Sequence, residues 1–151
     1  MSTAKVFRFA VAARRLEGRR LLVSTPGRPD VEVATPAEFK GGVEGRWTPE
    51  DLLLAAAASC WQLTFLSLAD RRGIPVISLA LDAVGRVTTR EDGRFSFTGI
   101  ELDVRVETDG EHLDAARIAA EEAEPRCIVG IALDVPVLVR IDVAVAAASA
   151  A

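Results

Sequence analysis

The sequence predicts an α+β fold in which about six β-strands, paired antiparallel, pack on a long central helix. Three observations predict it. Several runs alternate apolar and polar residues with the two-residue period of a half-buried strand. One run, Leu52 to Ala69, is apolar on every side and carries both a helix start signal and a stop signal. Strand-like and helix-like runs also follow one another in the order β-β-β-α-β-β-α-α-β, which groups the strands rather than alternating them with helices. At 151 residues, half of them hydrophobic and 26% charged, the chain fits a single domain with its own core. That domain is taken as 1–151, with an ordered core over about 5–143 and a flexible tail at 144–151.

The first third reads as a three-stranded meander. "KVFRFAVAA" is rich in β-formers and sets Phe7, Phe9 and Val11 on one face. "RRLLVS" and "VEVAT" follow, separated by the turn sequence "TPGRPD". A glycine-rich loop, "FKGGVEGRW", then leads into the helix. Thr48 suits the N-cap, Pro49 the first helical position, and Asp51 completes a capping-box pattern. At the far end Arg71 and Arg72 suit the negative pole, Gly73 the left-handed cap, and Pro75 blocks continuation. The helix is therefore about 23 residues and about 35 Å long.

A hairpin comes next, "VISLALDAVGRVTT" and "RFSFTGIELDVRVET" around the turn "REDG". Ile100, Leu102, Val104 and Val106 alternate with Glu101, Asp103, Arg105 and Glu107, whereas Phe95 and Phe97 are apolar in the opposite phase. A bulge near Gly99 reconciles the two. "GEHLDAARIAAEEAE" is an amphipathic helix with Leu113, Ala116, Ala120 and Ala123 inward, and Pro125 ends it. "RCIVGIAL" reads as a short helix with Cys127 in its first turn, and "VPVLVRIDVAV" as the last strand. A central helix that is apolar all round needs cover on every side, more than one small sheet provides. Burial against a second copy supplies it, so a homodimer is expected, with these helices at its centre.

The net charge is −4, and the arginines are scattered, so no nucleic-acid partner is expected. Ser59, Gln62, Thr64 and Ser67 interrupt the central helix, which argues for a core helix and no membrane partner. "MSTAKVFRFAVAARR" lacks the pattern of a secretory signal, and the cytoplasm is the expected compartment. There two cysteines serve as packing or as redox groups rather than as a permanent disulfide. Two distant cysteines and one histidine, His112, make no metal site, and His112 reads as a solvated residue on a surface helix. No phosphate loop or nucleophile elbow is present, and no cofactor is expected.

That leaves Cys60 in mid-helix and Cys127 at a helix start. Local electrostatics favour Cys127 as the more acidic thiol, because Arg126 and a helix N-terminus lie beside it. Cys60 needs a cation brought from elsewhere. Inert packing of both thiols stays open on this reading.

"WTPEDLLLAAAASC" resembles the signature of the OsmC/Ohr family, whose members include osmotically inducible protein C and the organic hydroperoxide resistance proteins. Pro49 and Glu50 open the Leu/Ala-rich helix here, and Ser59 and Cys60 close the motif. Cys127 takes the place of the family's second cysteine, after an Ala/Glu-rich helix, and the element order matches from about Lys5 to Val143. The resemblance implies an OsmC-like fold, an intertwined homodimer and a thiol peroxidase. Cys60 would attack an organic hydroperoxide and become a sulfenic acid. Cys127 would resolve it to a disulfide, and an external dithiol of the lipoyl type would reduce that. Glu50 would hold an arginine over a Cys60. Ten residues along one helix are about 15 Å, so the Glu50 in question belongs to the other copy. The family's arginine turn is not reproduced: the region reads "RRLEGRR", and Arg15 and Arg19 are the nearest candidates. The second cysteine is followed by "IVG" rather than by proline, which marks a divergent branch. Trp47 and Trp61 are expected to wall an apolar substrate pocket, or else to serve as ordinary core. The same pocket in a protein without turnover would be a ligand-binding or redox-sensing site.

Overall fold

The computed structural model describes residues 4–148. The chain divides into two compact units, Met1–Leu52 and Leu53–Ala151, with one helix running across the division.

The N-terminal unit is an antiparallel meander of β1 (Ala12–Arg15), β2 (Arg20–Ser24) and β3 (Val31–Ala34). Gly18 and Gly27 turn the chain between these strands, both at positive φ. The expected first strand is the main departure here. Residues 5–11 pair with no strand among the described residues, and Val6, Phe7, Phe9 and Val11 are exposed. Their sequence has the propensity for a strand, but a strand also needs a neighbour, and β1 begins only where β2 offers one.

Helix α1 (Pro49–Arg72) has the predicted ends. The Asp51 amide donates to Thr48 Oγ1 at 3.1 Å and the Thr48 amide to Asp51 Oδ2 at 2.9 Å, a reciprocal capping box. At its end Gly73 adopts φ +65°, with the Ile74 amide donating to the Ala69 carbonyl and the Gly73 amide to that of Asp70. This is a Schellman stop. By length and composition α1 also passes as a membrane-spanning helix. In the C-terminal unit one of its faces, Ala57, Trp61, Phe65, Leu68 and Ala69, lies in the core, while Leu63 on another face is 65% exposed.

That core is shared with a second sheet, β4 (Ser78–Thr89), β5 (Phe95–Thr108) and β6 (Val137–Val145), in spatial order β4-β5-β6. Ile100, Leu102, Val104 and Val106 point inward, as their alternation predicted. Arg86 pairs with Gly99 but Val87 with Phe97, so Thr98 is the extra residue of the bulge expected near Gly99. Helix α2 (Leu113–Ala123) packs into the same core and buries Ala116, Ala119, Ala120 and Ala123. A short 3₁₀ turn (Glu124–Arg126) and α3 (Ile128–Ala132) lead to β6.

Two corrections concern β6. It pairs parallel with β5, not antiparallel. The chain between them is a helical crossover, which returns the next strand in the same direction, whereas antiparallel neighbours can be joined by a tight turn. The strand also runs to Val145, so Ala144 and Val145 belong to the sheet rather than to a tail. Residues 149–151 of the expected tail lie outside the described residues.

Candidate functional site

The C-terminal unit brings the two thiols together. Cys60 lies in the middle of α1, partly buried, and packs against the core cluster that contains Cys127. Cys127 is 4% exposed and occupies the N-cap of α3. Its φ of −72° and ψ of 108° leave the helical region, and its Sγ accepts the Gly130 amide at 3.4 Å, the task a serine oxygen performs at other helix starts. Both cysteines are free thiols.

Their acidities come out opposite to the sequence expectation. Burial pushes the Cys60 thiol up, but more is gained from hydrogen bonds to its thiolate. These come from the Val129 amide, the Cys127 thiol and the Ile128 amide, and the Thr64 hydroxyl adds a smaller contribution. The net result is a Cys60 thiol below its ordinary value. Cys127 is pushed above its ordinary value by burial first; the Gly130 amide opposes this, and the Cys60 thiolate beside it adds to it. The first turn of α3 thus lowers the cysteine of another helix, while Cys127 beside it is raised. Sequence adjacency suggested the reverse because it placed the helix N-terminus next to Cys127, without the fold that brings α1 alongside.

A cavity of about 260 Å³ opens beside the pair. Trp61 and Leu102 form its buried floor; Val137 and Val139 line it, and exposed Glu124 and Ile131 sit at its rim. Cys127 lines it and Cys60 does not. Trp61 both lines this cavity and belongs to the buried core. It also stacks on Phe65 with ring centroids 5.6 Å apart, and its Nε1 is buried with no hydrogen-bond partner among the described residues.

Of the remaining candidates, Arg15, Arg19, Trp47 and Glu50 belong to the N-terminal unit and His112 to the C-terminal one. Arg15 donates to the Gly18 carbonyl at 3.1 Å and Arg19 to the Lys40 carbonyl at 2.6 Å. Trp47 is 52% exposed, and its carbonyl accepts the Ala34 amide at 2.8 Å. Glu50, in the first turn of α1, buries Oε2 with no partner among the described residues. His112 is the N-cap of α2, its Nδ1 2.7 Å from Asp109 Oδ1.

Residues that sequence reasoning missed are the amides of Ile128 and Val129, the Glu124 rim and Thr64. Only Thr64 carried a signal, since it lies one helical turn from Cys60 and on the same face.

A family model described as OsmC-like protein matches residues 41–142. Among solved structures, an OsmC-like protein of unknown function from Vibrio cholerae superposes with a TM-score of 0.77 at 21% identity, covering 89% of this chain and all of that one. An organic hydroperoxide resistance protein OsmC from Legionella pneumophila gives 0.70 at 23% identity, covering 90% of this chain and 97% of that one. An organic hydroperoxide resistance protein from Elizabethkingia anophelis gives 0.68 at 20%, with coverage of 93% and 99%. No curated protein sequence matches the chain.

Proposed function

The chain belongs to the OsmC-like protein family, and from that premise we propose that it is a thiol-dependent peroxidase of organic hydroperoxides. The observation that carries this reading is the packing of Cys60 against the core cluster that holds Cys127, the first thiol lowered and the second raised by their surroundings. The Cys60 thiolate attacks the distal oxygen of a hydroperoxide. The O–O bond breaks, the alkoxide leaves and is protonated to an alcohol, and Cys60 becomes a sulfenic acid. The Cys127 sulfur then attacks the Cys60 sulfur, water leaves, and a disulfide forms. An outside dithiol restores the two thiols and is itself oxidised. A protonated Cys127 suits the resolving role, since it does not compete for peroxide.

The working unit in this reading is a homodimer. Three features support it: the orphaned Glu50 oxygen, the apolar surface left on α1 at Leu63, and the exposed Phe7 and Phe9. An arginine of the partner copy would satisfy Glu50 and stand over a thiolate. Free thiols of this kind fit a reducing compartment, and the cytoplasm is the proposed location.

The test is peroxide consumption. Cys60→Ser abolishes turnover of cumene hydroperoxide with the fold retained, whereas wild-type rates in that variant would remove the assignment. A second reading, a ligand-binding or redox-sensing protein without turnover, is favoured by one observation. Arg15 and Arg19, the nearest candidates for an activating cation, are both spent on backbone carbonyls. It predicts peroxide-treated protein with no Cys60–Cys127 disulfide.

A further inference from the structure

Cys127 has two roles for one sulfur. In the reduced chain its Sγ accepts the Gly130 amide at 3.4 Å and so caps the N-terminus of α3. In a Cys60–Cys127 disulfide the same sulfur is bonded to a side chain of α1. We propose that α3 is a redox-sensitive element: formation of the disulfide draws the Cys127 sulfur away from the Gly130 amide, and Ile128–Ala132 loosens at the protein surface.

The proposal rests on the pair forming a disulfide, and it concerns what that bond does to the fold. The two thiols give up two protons and two electrons, the hydroperoxide takes them and leaves as alcohol and water, and one S–S bond forms. Both cysteines are free thiols, so bonding draws two separate sulfurs together and fixes the dihedral about the new bond. Cys60 sits in the middle of a 24-residue helix and is held there, whereas Cys127 begins a helix of five residues. The Cys127 sulfur is therefore the one that travels, and the Gly130 amide loses its acceptor. Charge acts in the same direction. The Val129 and Ile128 amides donate to a Cys60 thiolate, and a disulfide carries no negative charge to receive them. Little else holds α3. None of its side chains is fully buried; Val129 packs on the core and is half-buried, while Ile128 is 79% and Ile131 69% exposed. A helix this short does not persist on its own hydrogen bonds. The disulfide tethers Cys127 but none of the residues after it. A weak cap and a negative charge at a helix start each change the opening equilibrium about two-fold, and together about four-fold.

The experiment is amide hydrogen exchange read by peptide mass, on reduced protein and on protein oxidised with diamide to the intramolecular disulfide. Diamide stands in for peroxide, so a chain that fails to turn over peroxide still gives a result here. Peptides over residues 128–133 are expected to exchange about four-fold faster in the oxidised protein, with peptides of α2 unchanged. Reduced Cys127→Ala, which has lost the cap without gaining a bond, exchanges about two-fold faster than reduced wild type over the same residues. In Cys127→Ser an oxygen keeps the cap, and diamide leaves the exchange of α3 as it was. Equal or slower exchange of α3 in the oxidised protein would show that the tether governs it rather than the cap, and would overturn the proposal while leaving the peroxidase reading intact. Reduced Cys127→Ala exchanging like wild type would overturn it as well. A chain that forms no intramolecular disulfide with diamide would end both this proposal and the resolving step of the peroxidase reading.

Discussion

Replacing Ile128 by proline removes one of the amides that hold the Cys60 thiolate and disturbs little else. Ile128 is the first residue of α3, where proline's fixed φ is suited to the helix and its missing N–H breaks no intrahelical bond. The preceding residue, Cys127, already has the extended backbone that a following proline requires. The isoleucine side chain is 79% exposed, so little packing is lost. A hydrogen bond to a charged group contributes about 1.5–3 kcal/mol when protected from water. Cys60 is only partly buried and its acceptor is sulfur, so about 1 kcal/mol is the appropriate size. The sign is fixed: losing a donor to the thiolate raises the Cys60 pKa. At a pH below that pKa the thiolate fraction therefore falls about five-fold. The assay is the rate of iodoacetamide alkylation of Cys60 as a function of pH, followed by peptide mass, with circular dichroism as the check on folding. The variant's profile moves to higher pH, and on the limb below the wild-type pKa its rate drops about five-fold. A folded variant with an unchanged profile would show that the α3 amides do not set the acidity of Cys60.

Other consequences are simpler to measure. Thr48→Ala removes the acceptor of the capping box and costs about 1 kcal/mol in urea unfolding; no loss would mean that the Asp51 half of the box suffices. Phe65→Ala empties a fully buried site stacked on Trp61 and costs about 3–5 kcal/mol, read by the same titration. Glu122, held below its ordinary 4.5 first by Arg72 and then by Arg126, ties the end of α1 to α2. A lowered carboxyl stabilises the fold above its ordinary value and ceases to as pH falls through the lowered one. Glu122→Gln therefore lowers Tm slightly at neutral pH, and the deficit closes in acid. A deficit that persists in acid would place its origin elsewhere.

Much of the architecture was legible because local chemistry dictates it. The ends of α1 follow from Thr48, Pro49, Asp51 and Gly73, whose roles depend on neighbours within a few residues. The bulge beside Gly99 follows from a phase change written in β5 itself. What depends on another element was not legible. Phe7 and Phe9 have the propensity of a strand but no strand to pair with among the described residues. The direction of β6 is decided by the crossover before it, not by its own alternation. The thiols show the same division. Sequence adjacency makes Cys127 the more acidic of the two thiols, and the fold lowers Cys60 instead. The amides that settle it are close to Cys127 in sequence and reach Cys60 only through the fold.

The most direct measurement of the central claim is a single turnover. Reduced protein is mixed with one equivalent of cumene hydroperoxide, quenched with alkylating reagent and mapped by peptide mass. The account predicts one equivalent of alcohol and a Cys60–Cys127 disulfide, seen as a loss of about two mass units with both cysteines protected from alkylation. Peroxide consumed with Cys60 still alkylatable, or oxidation that begins at Cys127, would contradict it.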